Sequence, residues 1–437
     1  MSRALPRTTS ARVASSIAFT VLALILSVGA YVIAGLGKRG QLPATFGLYA
    51  TIFAAGYVGG LLVIRRFAPS ADPALFPTAG VLVGLGFAMI FRLSGGLAAE
   101  QATWIAVGLV AFAVTLMIVR DHHMLDAYTY TIGLLGLILL MLPMVPGIGQ
   151  TINGARLWVQ IGPLGFQPAE LGKVLVVIFL ASYLNQKREL LQVATTRIGP
   201  FRLPPVKHLA PVVLAWAGSL AILFVQKDLG ASLLYFGIFV VLLWVATGRA
   251  AYLVLGLVLF AIGAWLGWVL FDHVQLRVDV WLHALDPEKV FKQGYGQLAQ
   301  SQFAMATGGL VGSGLGKGSP GLIPFAATDF IFAAIGEELG LLGSTAVLLL
   351  YVVLVGKGLR IALEVRDGFG QLLAVGLAAM IAIQTFVIVG GVIRLIPLTG
   401  VTLPLMSYGG SSLVSNFILL ALLVRVSSGP APSRGAI

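Results

Sequence analysis

The chain has 437 residues, 58% of them hydrophobic and only 10% charged, with 28 basic against 16 acidic side chains and a net charge of +12. Ordinary soluble domains carry about 25% charged residues, and a water-soluble fold of this length has too little interior for so much apolar surface, which excludes that class. The lack of cysteine excludes disulfides and thiolate-held zinc or iron–sulfur centres, and the positive charge reads as the cytoplasmic-side bias of a membrane protein rather than a nucleic-acid surface.

Runs of about 20 apolar residues cross a bilayer core. In chain order such runs fall near 12–35, 46–64, 74–92, 102–119, 126–145, 169–184, 209–226, 229–247, 251–271, 329–355, 371–393 and 404–424. They predict an all-α, polytopic bundle of twelve membrane helices. The first is read as an uncleaved helix rather than a signal peptide, because further spans follow it. The organisation expected is an N-terminal membrane region over 1–120, a core over 121–426 and a disordered tail over 427–437. Two non-membrane segments are long, 146–168 and 272–328, the second being the largest.

Lys and Arg in the connections set the orientation. With the N-terminus inside, the inner segments collect seventeen of them and the outer segments ten, Lys38 and Arg39 among the latter. Both termini are therefore expected in the cytoplasm, with 146–168 and 272–328 outside.

Ionisable residues at membrane depth are costly and point to function. Asp228 lies in Gln226-Lys227-Asp228-Leu229-Gly230, a polar break between two apolar spans. It reads either as a helix N-cap or as a carboxylate whose basicity its surroundings tune. Glu170 and Lys173, three apart after Pro168, share one helix face. They read as an ion pair that fixes packing or as the lining of a polar cavity. Asp329, Glu337 and Glu338 open the tenth span. Adjacent helical residues point about 100° apart, so Glu337 and Glu338 are not expected to face one site together.

The stretch Gly308-Gly309-Leu310-Val311-Gly312-Ser313-Gly314-Leu315-Gly316-Lys317-Gly318 fails as a nucleotide-binding loop, because Val311 and Gly318 stand where glycine and a hydroxyl residue are needed. It remains either a turn-rich linker or a loop whose amides and Lys317 meet a phosphate. The small-residue patch at Ser407 to Ser412 reads as close helix packing. His122 and His123 lack spaced metal-binding partners and read as solvated.

Several of these pieces, in order, resemble one family. They are Gly154-Ala155-Arg156-Leu157-Trp158, Gln167-Pro168-Ala169-Glu170 with Lys173, and Gln226-Lys227-Asp228-Leu229-Gly230. There follow Gly294-Tyr295, Gln300-Ser301, Gly308-Gly309-Leu310, Thr328-Asp329-Phe330-Ile331-Phe332, Glu337-Glu338-Leu339-Gly340 and Leu403 to Ser412. Over about 125–426 the chain resembles the RodA/FtsW (SEDS) peptidoglycan glycosyltransferases. It departs from them at Lys227 for the usual Pro, at Leu157 for Arg, at Pro324-Phe325 and at Arg394. A family core of ten spans implies that two are added at the N-terminus. The stretches 306–310 and 394–397 lean toward elongation-type, RodA-like members.

The resemblance implies an enzyme of the bacterial cytoplasmic membrane that polymerises lipid II, the undecaprenyl-pyrophosphate-linked disaccharide peptide, into glycan strands at the outer face. The partners implied are a class B penicillin-binding protein and other elongation or division membrane proteins, with no nucleic acid. Asp228 is implied as the catalytic residue. The implied substrate surface is Arg156, Trp158, Glu170, Lys173, Lys227, Lys317, Arg394 and Ser407. The resemblance fixes no cofactor; a divalent Mg or Mn ion is an option for which no ligand set is legible. A lipid-precursor flippase, or a scaffold without catalysis, remains the alternative.

Overall fold

The computed structural model describes residues 9–429, apart from 153–154, 162–163, 193–195, 199–200, 204–213, 215–216, 219–220, 223–225 and 293–294. Among the described residues ten helices are long and apolar enough to cross a membrane. They are α1 (Thr9–Arg39), α2 (Phe46–Phe67), α3 (Leu75–Leu93), α4 (Gly95–Ile118), α6 (Pro168–Gln186), α7 (Leu229–Thr247), α8 (Ala250–Leu270), α11 (Ile331–Glu364), α12 (Gly368–Val392) and α13 (Gly410–Ser428). The expected fifth span is α5 (Thr129–Met141), whose 13 residues reach only about 20 Å. The expected span 209–226 lies largely outside the described residues. Among the described residues ten long helices and one short one thus answer eleven of the twelve expected spans.

Local chemistry sets the helix ends. Ser94 accepts a hydrogen bond from Leu97 N at the start of α4, and Asp367 accepts one from Gly370 N at the start of α12, each satisfying an amide that lacks a helical partner. Gly248 ends α7 in the left-handed conformation that glycine adopts without strain. Helix α11 is interrupted at Gly340 (φ 65°, ψ −166°). There Leu341 N and Leu342 N bond Gly309 O and Leu310 O, at 2.9 and 3.1 Å, instead of the preceding turn.

Burial separates centre from rim. In α12 83% of the most apolar window is buried in protein, against 17% in α8; α12 is the central helix and α8 faces lipid. Helices α6, α7 and α11 pack on α12, α13 packs on α4 and α6, and α1 packs on α3. Small residues permit the closest approaches: a Cβ on Gly376 of α12 would lie 2.7 Å from Val177 of α6.

The segment 146–168 holds a three-stranded antiparallel sheet, β1 (Gly149–Ile152), β2 (Ala155–Ile161) and β3 (Leu164–Phe166), so the all-helical expectation is amended there. A second hairpin pairs β4 (Thr196–Ile198) with β5 (Phe201–Leu203). The segment 272–328 carries two further helices, α9 (Asp272–His283) and α10 (Tyr295–Gly308). Helix α13 continues to Ser428, two residues into the expected tail, and 430–437 lie outside the described residues.

Candidate functional site

The first turns of α6 and α7, the middle of α9 and the residues just before α11 meet beside the α12–α13 connection. Pro168 starts α6 without losing a needed amide, and one turn on, Lys173 Nζ lies 2.9 Å from Glu170 Oε1, both side chains buried. Lys173 also reaches Gln384 Oε1 of α12 at 3.3 Å, and Gln384 Nε2 donates to Thr402 O. Glu170 Oε2 is buried with no hydrogen-bond partner. The pair therefore ties α6 to α12 and still leaves one carboxylate oxygen unsatisfied.

Asp228 is an N-cap: its Oδ1 accepts from Ala231 N at 2.9 Å. The preceding Lys227 is exposed and has φ 55°, a left-handed conformation uncommon for a side-chain-bearing residue. Gly230 lets the start of α7 close against Val401, whose side chain a Cβ would meet at 2.3 Å. Burial pushes the Asp228 carboxyl above its usual range, opposed by the Ala231 amide and by the charges of Arg277 and Lys173, while Glu170 adds to the rise.

The charge of Arg277 on α9 acts on Asp228 and on a second carboxylate, Asp329. Arg277 Nη1 donates to Leu398 O at 3.0 Å. Gly400 leaves room beside it: a Cβ there would lie 3.6 Å from Arg277 Nη2 and 3.9 Å from Asp329 Oδ2. Burial raises the Asp329 carboxyl to about 6, with Arg277 and a hydrogen bond from Thr328 pulling the other way. Ser407 fixes this stretch by donating to Thr328 O at 2.6 Å while accepting from Leu403 N.

The other expected site residues lie elsewhere or are engaged. Arg394 donates to Trp281 O and Leu282 O, and Trp281 Nε1 donates to Arg394 O at 2.9 Å, so it clamps the end of α9. Arg156 and Trp158 lie on β2, opposite Thr151 and Gln150, and Arg156 Nη2 donates to Val145 O. Lys317 is exposed on the glycine-rich loop. The amides of that loop are already engaged: Gly316 N donates to Glu338 Oε2, Ser319 N to Glu337 Oε1, and Ser313 N and Gly314 N to the carbonyls of Glu337 and Glu338. A phosphate would have to displace carboxylates to use them. Both glutamates hold one loop, which corrects the expectation that adjacent residues could not serve one place. The loop wraps around the first turns of α11 and meets each in turn.

Sequence reasoning placed Arg277 only among the outer cations. No local signal marks it, since its carboxylates lie 49 residues before and 52 residues after it.

The family model described as "Cell cycle protein", covering FtsW, RodA and SpoVE, matches residues 75–430. The chain belongs to that family. The match begins at the first residue of α3, leaving α1 and α2 before it. Among curated relatives, "Peptidoglycan glycosyltransferase RodA" of Mycobacterium tuberculosis is 43% identical over 93% of this chain and 88% of its own. "Stage V sporulation protein E" of Bacillus subtilis is 36% identical over 76% of this chain and 86% of its own. "Probable peptidoglycan glycosyltransferase FtsW" of Geobacter metallireducens is 33% identical over 82% and 94%. Among solved structures, a chain of a complex described as "Structural coordination of polymerization and crosslinking by a peptidoglycan synthase complex" has a TM-score of 0.66 at 28% identity, covering 82% of this chain and 97% of its own. RodA of Thermus thermophilus has a TM-score of 0.57 at 27% identity, covering 82% and 96%. The family relationship thus extends over most of the membrane bundle.

Proposed function

We propose that this family member, a peptidoglycan glycosyltransferase, polymerises lipid II with Asp329 as general base and Arg277 as its charged neighbour. The observation that carries this is one guanidinium whose charge acts on two carboxylates, with Asp329 beside it at the Gly400 turn and raised by burial to about 6. A base works best when its pKa lies near the working pH. Asp329 meets that condition and caps no helix; Asp228, to which the family resemblance assigned the chemistry, is raised by burial as well but has one oxygen on the Ala231 amide. Asp228 is then the carboxylate that holds the start of α7 and balances Arg277.

In the transfer, the acceptor sugar hydroxyl attacks the anomeric carbon of the donor and its proton passes to Asp329. The bond from that carbon to the pyrophosphate oxygen breaks, and the lipid pyrophosphate leaves with the electron pair. Arg277 and the exposed Lys227 offset the charge that develops on it. Glu170 Oε2, buried and unpartnered, is placed to accept from a bound sugar or amide. Among the described residues no three metal-binding side chains converge here. Magnesium is commonly held by one or two carboxylates together with substrate phosphates, so Asp228 and Asp329 would be the residues to hold such an ion, which would offset charge on the pyrophosphate; no step is routed through it.

The Lys and Arg distribution supports an outer-face site with both termini cytoplasmic. The higher identity to RodA than to FtsW relatives supports an elongation role, and the likeness to a polymerising and cross-linking complex supports a class B transpeptidase partner. The test uses purified protein, its partner and lipid II. Asp329→Asn keeps the shape but cannot take the proton, so it should lose on the order of 100- to 10,000-fold in polymerisation at normal folded yield. Asp228→Asn can still cap through its side-chain oxygen and should lose far less. The opposite ranking would return the base to Asp228. Full activity in both variants, or lipid translocation without polymer, would remove the enzyme reading.

A further inference from the structure

At the opposite end of α12 from Gln384 and the carboxylate pair, the connection between α4 and α5 gathers a second polar cluster. Asp121, His122 and His123 each offer a ligand atom, and the three atoms lie within 4.8 Å of one another. The sequence reading of the histidines as solvated holds for His123 and is corrected for His122, which is only 2% exposed. Its partner is Asp367, 245 residues away, whose Oδ2 lies 3.0 Å from His122 Nε2 while its Oδ1 caps α12.

The protons on this ring follow from its neighbours. A carboxylate only accepts, so Nε2 carries the hydrogen toward Asp367, and the neutral ring keeps its lone pair on Nδ1. That Nδ1 is buried and hydrogen-bonds to nothing. It lies 3.4 Å from Asp121 Oδ1, another acceptor. Two acceptors at that separation repel unless positive charge lies between them. Zinc bonds to imidazole nitrogen and carboxylate oxygen are about 2.0–2.2 Å long, and two of them at a tetrahedral angle span ~3.4 Å. His123 stacks on His122 with centroids 4.4 Å apart, its half-exposed ring holds Nε2 3.8 Å from Asp367 Oδ2, and its ligand atom lies within 4.8 Å of those of Asp121 and His122.

We propose that Asp121, His122 and His123 bind a divalent cation of the zinc class, with Asp367 orienting His122 from behind. A carboxylate that fixes the tautomer of a metal-binding histidine is a recurrent arrangement, and a mixed nitrogen and oxygen donor set suits zinc, cobalt or nickel. Arg425 is the nearby competing cation and acts on Asp121. Its guanidinium is held by Phe67 O and Leu116 O, which leaves His122 Nδ1 open. The bound ion would fasten the α4–α5 connection to the N-terminus of α12, the central helix that also carries Gln384 to Lys173.

The experiment titrates zinc into the full chain in detergent, purified without a histidine tag, with the cobalt(II) absorption spectrum reporting coordination and thermal unfolding reporting linkage. The wild type should take up one saturable equivalent, show a tetrahedral cobalt spectrum and unfold at a higher temperature with zinc. His123→Gln and Asp121→Asn, both at accessible positions, should weaken binding at least 10-fold. Asp367→Asn, which can still cap α12, should weaken it by roughly 10- to 100-fold. His283→Gln, at a separate histidine on α9, should change nothing. No saturable equivalent in the wild type would overturn the proposal and leave His122 as an imidazolium between Asp121 and Asp367. Unaltered affinity in His123→Gln and Asp121→Asn, or loss of binding in His283→Gln, would overturn it equally.

Discussion

Two groups of charge flank the start of α11, one buried around Glu338 and one half-buried at Asp228, Arg277 and Asp329, and they differ in how completely they are paired. On one side Glu338 receives Arg92 Nε on one oxygen, at 2.9 Å, and Gly316 N on the other, while Arg92 Nη2 donates to Gly318 O. Lys38 of α1 donates to Arg92 O and extends the same network. On the other side Asp329 and Asp228 face Arg277 without a closed ion pair, and Glu170 keeps one oxygen unpartnered. Buried charge is tolerable when every lone pair and proton is matched. The first group meets that standard and serves the fold. The second falls short of it, which is the condition of a site that completes itself on its substrate.

If this contrast is sound, the two groups should fail differently. Asp329→Asn is expected to give the largest change, confined to turnover. Arg92→Met should act on the other property. It leaves Glu338, whose side chain is 0% exposed, as an uncompensated charge, and breaking a buried pair from one side costs about 3–5 kcal/mol. Folded yield and thermal stability should drop sharply, while the activity per folded molecule falls much less. Equal loss of turnover and stability in both variants would erase the distinction.

Gly340→Ala sharpens the same comparison at smaller scale. The residue sits at φ 65°, ψ −166°, a region close to glycine-only, where other residues cost about 1–3 kcal/mol. An added Cβ would also lie 2.3 Å from Gly312 N. The glycine-rich loop should detach from α11, read as faster backbone amide exchange over 309–319. Exchange at Asp228 and its helix should stay as in the wild type, because that helix packs at Thr399–Val401 instead. Exchange that rises in both places would mean the two groups form one unit.

What the sequence made legible was local. The cap at Asp228 and the Glu170–Lys173 pair are three-residue relations, and helical spacing alone predicts them. Apolar length placed the long helices, and it was uninformative for α5, whose 13 residues are apolar but short. Relations across the chain were not legible. Arg394 reads as a free outward cation until the fold brings Trp281, 113 residues away, against it. His122 reads as solvated until Asp367 covers it. The two glutamates of α11 read as divergent because a straight helix was assumed and the loop that curls around it was not foreseen. In each case the deciding partner came from another helix, which spacing does not encode.

The smallest expected effect tests the electrostatics of the open group directly. Asp329 titrates at about 6 because burial raises its pKa more than Arg277 and the Thr328 hydrogen bond lower it. A base is active when ionised, so kcat/KM should rise with pH through about 6 and level off above it. Arg277→Gln removes a cation that favours the ionised form and should move that acidic limb upward by roughly one pH unit. The variant also loses a charge from the leaving-group side, so its plateau should fall as well. The position of the limb is the informative quantity, since a merely misfolded fraction lowers the plateau and leaves the limb in place. A limb that stays near 6 in Arg277→Gln, or moves to lower pH, would mean that Arg277 does not act on the catalytic carboxylate.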